Sequence, residues 1–368
     1  MKTVGLIADD LTGALDAAAA FASQRHPFPV TSLQDIQSQT KRFATNLETR
    51  DLLTGAAEER VKEILPRLGS CQIAFKKIDT LMRGNTFAEL RTCCESKLFR
   101  TIVVAPAFPE QGRITKGGRQ FSKNVEGNWI STGASIADML AGGHMPTRVV
   151  TRCGELKGGG IIICDAEFSR DLKHAVSAWP QLHDPVLWCG SAGLAKELGN
   201  NRQPSLRPTG RRRLAIVGSR HPSTLAQIDY YSRNYGNAIG IIHVGSDIMK
   251  VIRDVRYYLD REVSVLVQIG PNFEDAKFAS DLHHHFFESL KELAPPDLVV
   301  VSGGDTLYRL VQTMNATVLS ATGEWSPGVA VSLILDGQWR GTSIVSKSGS
   351  FGSPNCLMSI LDFAEGRL

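Results

Sequence analysis

The residues best able to do chemistry sit at the ends of short apolar runs. Thr3-Val4-Gly5-Leu6-Ile7-Ala8 is followed at once by Asp9-Asp10 and then by Leu11-Thr12-Gly13-Ala14. Adjacent carboxylates repel unless a cation, a metal or a ligand shares them. Such a pair can bind Mg²⁺, accept hydrogen bonds from hydroxyls or serve as a general base. The plainer alternative makes Asp10 a helix cap and Asp9 a solvated loop residue. A second cluster, Lys76-Lys77-Ile78-Asp79-Thr80-Leu81-Met82-Arg83-Gly84-Asn85, follows Gln72-Ile73-Ala74-Phe75. The Arg83 guanidinium suits a carboxylate, which it would grip through two parallel hydrogen bonds. The alternative spends it on an internal Asp79–Arg83 pair in an exposed loop.

The third cluster is built for a phosphate. Val299-Val300-Val301 reads as a fully buried parallel strand. It runs into Ser302-Gly303-Gly304-Asp305-Thr306, and Leu307, Leu310, Val311 and Met314 then recur at helical spacing, with Asp305 or Thr306 able to cap the start. A glycine turn opening a helix presents free N–H groups and the positive end of the helix dipole to an anion. Further on, Ser343-Ile344-Val345 leads to Lys347-Ser348-Gly349-Ser350-Phe351-Gly352, a second glycine turn that adds a fixed cation. The chain has no G-x-x-x-x-G-K-[ST] run, no G-x-G-x-x-G after a strand, and neither the H-R-D nor the D-F-G of protein kinases, so the commonest nucleotide motifs are excluded.

The elements that must position these residues alternate. Strands are expected at 3–8, 72–75, 100–105, 161–165 and 185–189 in the first half, and at 213–217, 263–267 and 299–301 in the second. Ala14, Ala17, Ala18 and Phe21 trace one helix face, and a charged helix over 56–68 turns Ala57, Val61, Ile64 and Leu65 inward. The fold class read from this is α/β, with two domains, each a mainly parallel sheet flanked by helices. The domains are expected at 1–208 and 209–368, since 368 residues suffice for two cores. Carboxyl ends of parallel strands are where open α/β sheets bind ligands, and the clusters fall there. Gly190-Ser191-Ala192-Gly193 reads as a strand-to-helix turn, because Cys189 stands where a nucleophile elbow needs glycine.

Composition narrows the function classes. Charged residues are 21%, apolar residues 42%, and the net charge is +4. Arg202, Arg207, Arg211, Arg212 and Arg213 lie among Pro204, Pro208 and Gly210, which reads as a solvated interdomain linker rather than a nucleic-acid patch. Seven cysteines with no C-x-x-C pair argue against a disulfide framework or zinc site and for a reducing compartment. His283-His284-His285 would point three ways from a helix and is read as a solvated face. With no basic-then-apolar leader and no apolar run near the ~18 residues of a span, the expected location is cytoplasmic, with no membrane or nucleic-acid partner.

Taken together, Ile7-Ala8-Asp9-Asp10-Leu11-Thr12-Gly13-Ala14, Lys77-Ile78-Asp79 with Arg83-Gly84-Asn85, and Pro106-Ala107-Phe108-Pro109 with Gly112-Arg113 resemble the substrate-domain motifs of the four-carbon acid sugar kinases. Val217-Gly218-Ser219, Ser302-Gly303-Gly304-Asp305-Thr306, Gly323-Glu324 with Pro327-Gly328-Val329, and Lys347-Ser348-Gly349 with Phe351-Gly352 resemble that family's nucleotide-binding motifs, in the family's order. The resemblance implies ATP-dependent phosphorylation of a sugar acid such as threonate, erythronate or a 3-oxo-tetronate at its terminal hydroxyl. Thr80 and Leu81 stand where the family has Ser and Thr, and Ser350 where it has Gly; Leu81 brings no hydroxyl, and residues 118–150 match poorly.

The expected site follows from both readings. Asp10 or Asp9 orients and deprotonates the attacking hydroxyl, and sequence leaves open which. Arg50, Lys77, Asp79, Arg83, Gly84 and Asn85 form the substrate set. Ser219, Ser302, Gly303, Gly304, Asp305, Thr306, Lys347 and Gly349 form the nucleotide set, with Mg²⁺ on the ATP phosphates through Asp305 and no protein metal site specified. The expected partner is a small sugar acid, with a homodimer as one assembly open to the chain. Two other classes remain: a sensor that has kept the fold and lost turnover, motivated by Leu81 and Ser350, and a metal-dependent hydrolase, motivated only by Asp9-Asp10. Gly304→Val is expected to block phosphate approach and abolish nucleotide binding with the first domain still folded; titration with ATP checks it, and unchanged affinity rules the assignment out.

Overall fold

In the computed structural model the described residues are 2–34, 41–124, 126–152, 155–200, 206–235, 240–244, 247–269 and 276–362. They divide into two units, Met1–Gln203 and Pro204–Leu368. In the first, β1 (Val4–Ala8), α1 (Leu11–Ala19), β2 (Phe28–Ser32), β3 (Arg42–Asn46), α2 (Thr54–Gly69), β4 (Ile73–Lys77), α3 (Thr86–Glu95) and β5 (Thr101–Ala105) follow in order; β1, α1, α2, β4 and β5 are expected from sequence, whereas β2, β3 and α3 are not. An antiparallel excursion follows, β6 (Arg113–Lys116), β7 (Arg119–Lys123) and β8 (Trp129–Ser131), then α4 (Ile136–Leu140) and β9 (Thr147–Val150). The unit ends with β10 (Gly160–Cys164), α5 (Ser169–Ser177), β11 (Val186–Gly190) and α6 (Ala192–Gly199).

The main sheet of this unit runs β2-β3-β1-β4-β11-β5-β10-β9, every pair parallel. β1, β4, β5, β10 and β11 are buried along their whole length, as a sheet covered on both faces requires. Register makes the carboxyl edge level: Ala8 pairs with Asn46 and Lys77, Lys77 with Gly190, and Gly190 with Ala105. The chain leaves β1 for β2 and β3 on one side and returns to β4 on the other, so the strand order reverses at β1. α2 buries Ala57, Val61, Ile64, Leu65 and Leu68, the face its periodicity predicts. Ser191 accepts from the Gly193 N–H and caps α6, which bears out the strand-to-helix turn.

The second unit contains β12 (Arg213–Val217), α7 (Pro222–Tyr235), β13 (Gly240–His243), α8 (Ile248–Leu259), β14 (Val265–Gln268), α9 (Ala276–Ser289), β15 (Leu298–Ser302), α10 (Gly304–Thr313), β16 (Val318–Ser326), β17 (Val329–Ile334), β18 (Ser343–Lys347) and α11 (Cys356–Leu361). Its strands run β13-β14-β12-β15-β18 in parallel, and β17 and β16 complete the sheet antiparallel. Val217, Ser302 and Lys347 are level at the carboxyl edge.

Two expectations are corrected and two hold only in part. The strand at 72–75 continues through Lys76 and Lys77, both buried, because Lys76 finds a buried partner in Glu89 of α3. The arginines are only in part a solvated linker, since Arg207 and Arg211 are exposed but Arg213 is buried. Arg207 stacks on Trp325 at 3.8 Å and donates to its carbonyl; Arg212 donates to Pro295 O; Arg213 is buried and donates to Gly210 O and Leu361 O. Arg202 lies outside the described residues. α10 starts at Gly304 with Gly303 as its N-cap, so neither Asp305 nor Thr306 caps it; Gly303 holds φ 117°, open to glycine, and begins the helix one residue early. His283 is half-buried and its neighbours exposed, and no group of three or more His, Cys, Asp or Glu among the described residues could hold a metal.

No described helix is long and apolar enough to cross a membrane. Cys71, Cys93, Cys94, Cys189 and Cys356 are free thiols, whereas Cys164 is disulfide-bonded, against the expectation that the cysteines form no disulfide. The Lys76–Glu89 pair, 0% and 1% exposed, tests the packing: Glu89→Ala strands an ammonium in the core and should cost about 3–5 kcal/mol by denaturant titration. Wild-type stability in that variant would mean the pair is solvated.

Candidate active site

In the first unit the reversal at β1 gathers three polar turns. Arg50, in the turn after β3, lies at their centre. Its Nε and Nη2 each approach Asp9 Oδ2 at 2.8 Å, its Nη1 meets Asp10 Oδ2 at 2.5 Å, and Nη2 is 3.7 Å from Asp79 Oδ1. Arg83 donates to Asp79 from Nε at 2.9 Å and Nη2 at 2.7 Å, so the internal pair is formed and the bidentate fork is spent on it. Its Nη1 has no partner among the described residues. The Leu81 and Arg83 N–H groups also donate to Asp79 Oδ2. These bonds and the two guanidinium groups outweigh burial and hold the Asp79 carboxyl well below the usual range.

The two adjacent carboxylates have different surroundings. Asp10 accepts the Gly13 N–H at 2.7 Å and caps α1, yet its side chain is still 21% exposed. Asp9 is 4% exposed, its Oδ1 has no partner among the described residues, and burial pushes it up to about 6 against the pull of Arg50. Gly84 and Asn85 act on the backbone of the Arg50 turn. Asn85 Nδ2 donates to Thr49 O and Leu52 O, clasping the Arg50 turn. Gly84, at φ +63°, packs where a Cβ would meet Arg50 O at 2.6 Å. Lys77 Nζ donates to Ile78 O and packs against Gly13 at the head of α1.

Sequence reading missed Asp16. It is a buried carboxylate on α1, and burial pushes it up to about 7 while Lys77 opposes the shift. A lone Asp in an alanine-rich helix gave no signal, because its burial comes from the sheet beneath.

In the second unit three strand ends converge. Ser219 after β12, Ser302-Gly303 after β15 and Lys347-Ser348-Gly349 after β18 form one cradle. Gly218 N and Ser219 N donate to Ser302 O, and Gly303 N to Lys347 O. Gly349 lies so close on Ser219 that a Cβ would stand 1.9 Å from Ser219 Oγ. Thr306 turns its hydroxyl back toward Gly218 and Gly303. No side chain among the described residues caps α10, Gly304 opens it, and Asp305 on its first turn is exposed. Lys347 is fully enclosed, with Nζ 3.0 Å from Ser302 Oγ, 3.2 Å from Ser348 O and 3.4 Å from Thr224 Oγ1. Burial lowers it to about 8, and no carboxylate among the described residues pairs with it. Thr224 and Gln227, both on α7 and both buried, were not read from sequence because nothing local marks a Thr and a Gln that face another strand's turn.

Residues 4–131 match the model of a sugar-binding N-terminal domain, and residues 214–357 that of a nucleotide-binding C-terminal domain. Sugar-binding and nucleotide-binding domains in one chain define a sugar kinase-like protein. The chain is 26% identical to a D-threonate kinase of Cupriavidus necator, over 96% of this chain and 95% of that one. It is 23% identical to a D-erythronate kinase of Heliobacterium modesticaldum, over 99% and 97%. The fold is shared with the crystal structure of a Haemophilus influenzae protein, 19% identical, with a TM-score of 0.70 over 98% of this chain and 100% of that one. The chain belongs to the four-carbon acid sugar kinase family.

Asp16 gives a pH test. Its folded pKa lies above its unfolded value, so ionising it costs stability. That cost builds from about pH 4 to pH 7 and is level above. Asp16→Asn removes the titration, so its stability relative to wild type should rise by a few kcal/mol across that window, read from denaturation midpoints. A pH-independent difference would show that Asp16 ionises normally.

Proposed function

We propose that the chain is an ATP-dependent kinase that phosphorylates the terminal hydroxyl of a four-carbon sugar acid, with the acid held by the first unit and the nucleotide by the second. The observation that carries this reading is the second unit's cradle: three strand ends, a helix N-terminus and a buried ammonium, neither with a side-chain cap or carboxylate partner among the described residues. Such a spot is electropositive and offers free N–H groups, the environment that phosphates seek. The names of the relatives, D-threonate kinase and D-erythronate kinase, support a substrate of that class.

In this reading the Gly304, Asp305 and Thr306 N–H groups take phosphate oxygens, and Gly303 and Gly349 let the backbone approach. Asp305 alone fits Mg²⁺ carried by a nucleotide, since that ion uses one or two carboxylates and completes its shell with phosphates and water; bound there, it would neutralise phosphate charge. Asp10 orients and deprotonates the attacking hydroxyl, because of the two carboxylates it is the one a substrate can reach. Asp9 fixes Arg50, and Arg83 offers its remaining Nη1 edge to the substrate carboxylate. Positioning and charge neutralisation then supply most of the rate.

Incubation with ATP, Mg²⁺ and a panel of four-carbon sugar acids should release ADP only with the right acid. Binding of ATP without turnover on any acid would move the assignment to a sensor, and hydrolysis indifferent to ATP would move it to a hydrolase. Within the active pair, Asp10→Asn should lower kcat on the order of 10²–10⁴ with KM largely kept. Arg83→Ala should act mainly on KM for the acid, since that contact serves ground and transition states alike. If Asp9→Asn collapsed kcat while Asp10→Asn stayed within a few-fold of wild type, the base is Asp9.

A further inference from the structure

We propose that Thr224 and Gln227 of α7 are positioning residues for nucleotide binding: they fasten the 347–352 turn against the cradle without touching the nucleotide. This rests on the reading of the second unit as the nucleotide site.

Thr224 Oγ1 donates its single hydrogen to Gly349 O at 2.6 Å. Its lone pairs are left for Lys347 Nζ, at 3.4 Å, and Ser302 Oγ, at 3.3 Å. One hydroxyl therefore joins the turn after β15, the turn after β18 and the helix that follows β12. The Lys347 ammonium has three hydrogens, and Ser302 Oγ, Ser348 O and Thr224 Oγ1 are three acceptors within reach. Its valence is met inside the protein. Lys347 acts on a bound phosphate through its field, and its place depends on Thr224.

One turn along α7, on the same face, Gln227 Nε2 donates to Phe351 O at 3.1 Å and Gly352 O at 3.0 Å. Its Oε1 has no partner among the described residues, so the donor half of the amide is the half in use. The two side chains hold the carbonyls of Gly349, Phe351 and Gly352. Gly349 is the point where the loop presses on Ser219, and the shape of the cradle is set there. A shift of about 1 Å at such a contact is enough to lose orientation of a bound group.

Thr224→Val keeps the shape and deletes the hydroxyl, and Thr224→Ser keeps the hydroxyl. ADP with Mg²⁺ is the calorimetric probe, alongside steady-state kinetics with ATP and D-threonate. Thr224→Val should weaken ADP binding and raise KM for ATP on the order of tenfold, with KM for the acid within about two-fold of wild type; Thr224→Ser should restore nucleotide affinity. Wild-type nucleotide affinity in a folded Thr224→Val protein overturns the proposal. If that variant does not fold, Gln227→Leu carries the same expectation and the same overturning result. Failure of the wild-type protein itself to bind ADP or ATP sinks the nucleotide reading beneath the proposal, a distinct outcome.

Discussion

One guanidinium makes the first unit's site possible. Asp9, Asp10 and Asp79 stand at the ends of strands whose register is fixed by the sheet, and three carboxylates so placed would repel one another. Arg50 lies between them, bonded to two and 3.7 Å from the third. Its planar fork can serve carboxylates on different edges at once, which a lysine's point charge cannot do. The surrounding turns serve Arg50 in their own way. Asn85 clasps the turn that carries it, and Gly84 leaves room for its carbonyl. Arg83 offsets the remaining charge of Asp79.

The second unit solves the opposite problem. Its cradle contains hydroxyls, backbone groups, one enclosed ammonium and the exposed Asp305, and burial lowers the Lys347 pKa with no carboxylate partner among the described residues. Arg50 is held charged by its neighbours despite burial. Charge in the first unit is matched by neighbouring carboxylates, whereas in the second the Lys347 ammonium has no carboxylate partner among the described residues. The same sheet geometry underlies both, since level parallel strands bring their carboxyl ends side by side.

These polar edges are tolerated because the strands behind them are mostly apolar and pack into cores. Ile7, Ala74, Ile102, Val104, Ile161 and Leu187 share one core in the first unit; Ala215, Val217, Leu266, Val300 and Val345 share another in the second. Burying a carboxylate such as Asp16 or an ion pair such as Lys76–Glu89 costs free energy that this packing offsets.

Local pattern was not enough for β2, β3, α3 or the antiparallel strands, but it was for β1, β4, β5, β15, α1 and α2, the glycine turns after Val301 and Lys347, and the polar clusters at 9–10 and 76–85. Each is written in a contiguous stretch, where periodicity and backbone freedom act. The sequence also carried the family's motifs in order, and so the family. It left undecided what each side chain does. That Lys76 turns inward to Glu89 while Lys77 turns to α1 depends on strand alternation and on the helix that lies opposite. That the Arg83 fork is taken by Asp79, that Asp10 rather than Asp9 keeps an exposed edge, and that Thr224 and Gln227 reach the 347–352 turn all follow from strand order and register. Those depend on contacts between residues far apart in the chain. Short-range pattern cannot encode them, and the tertiary structure decided them.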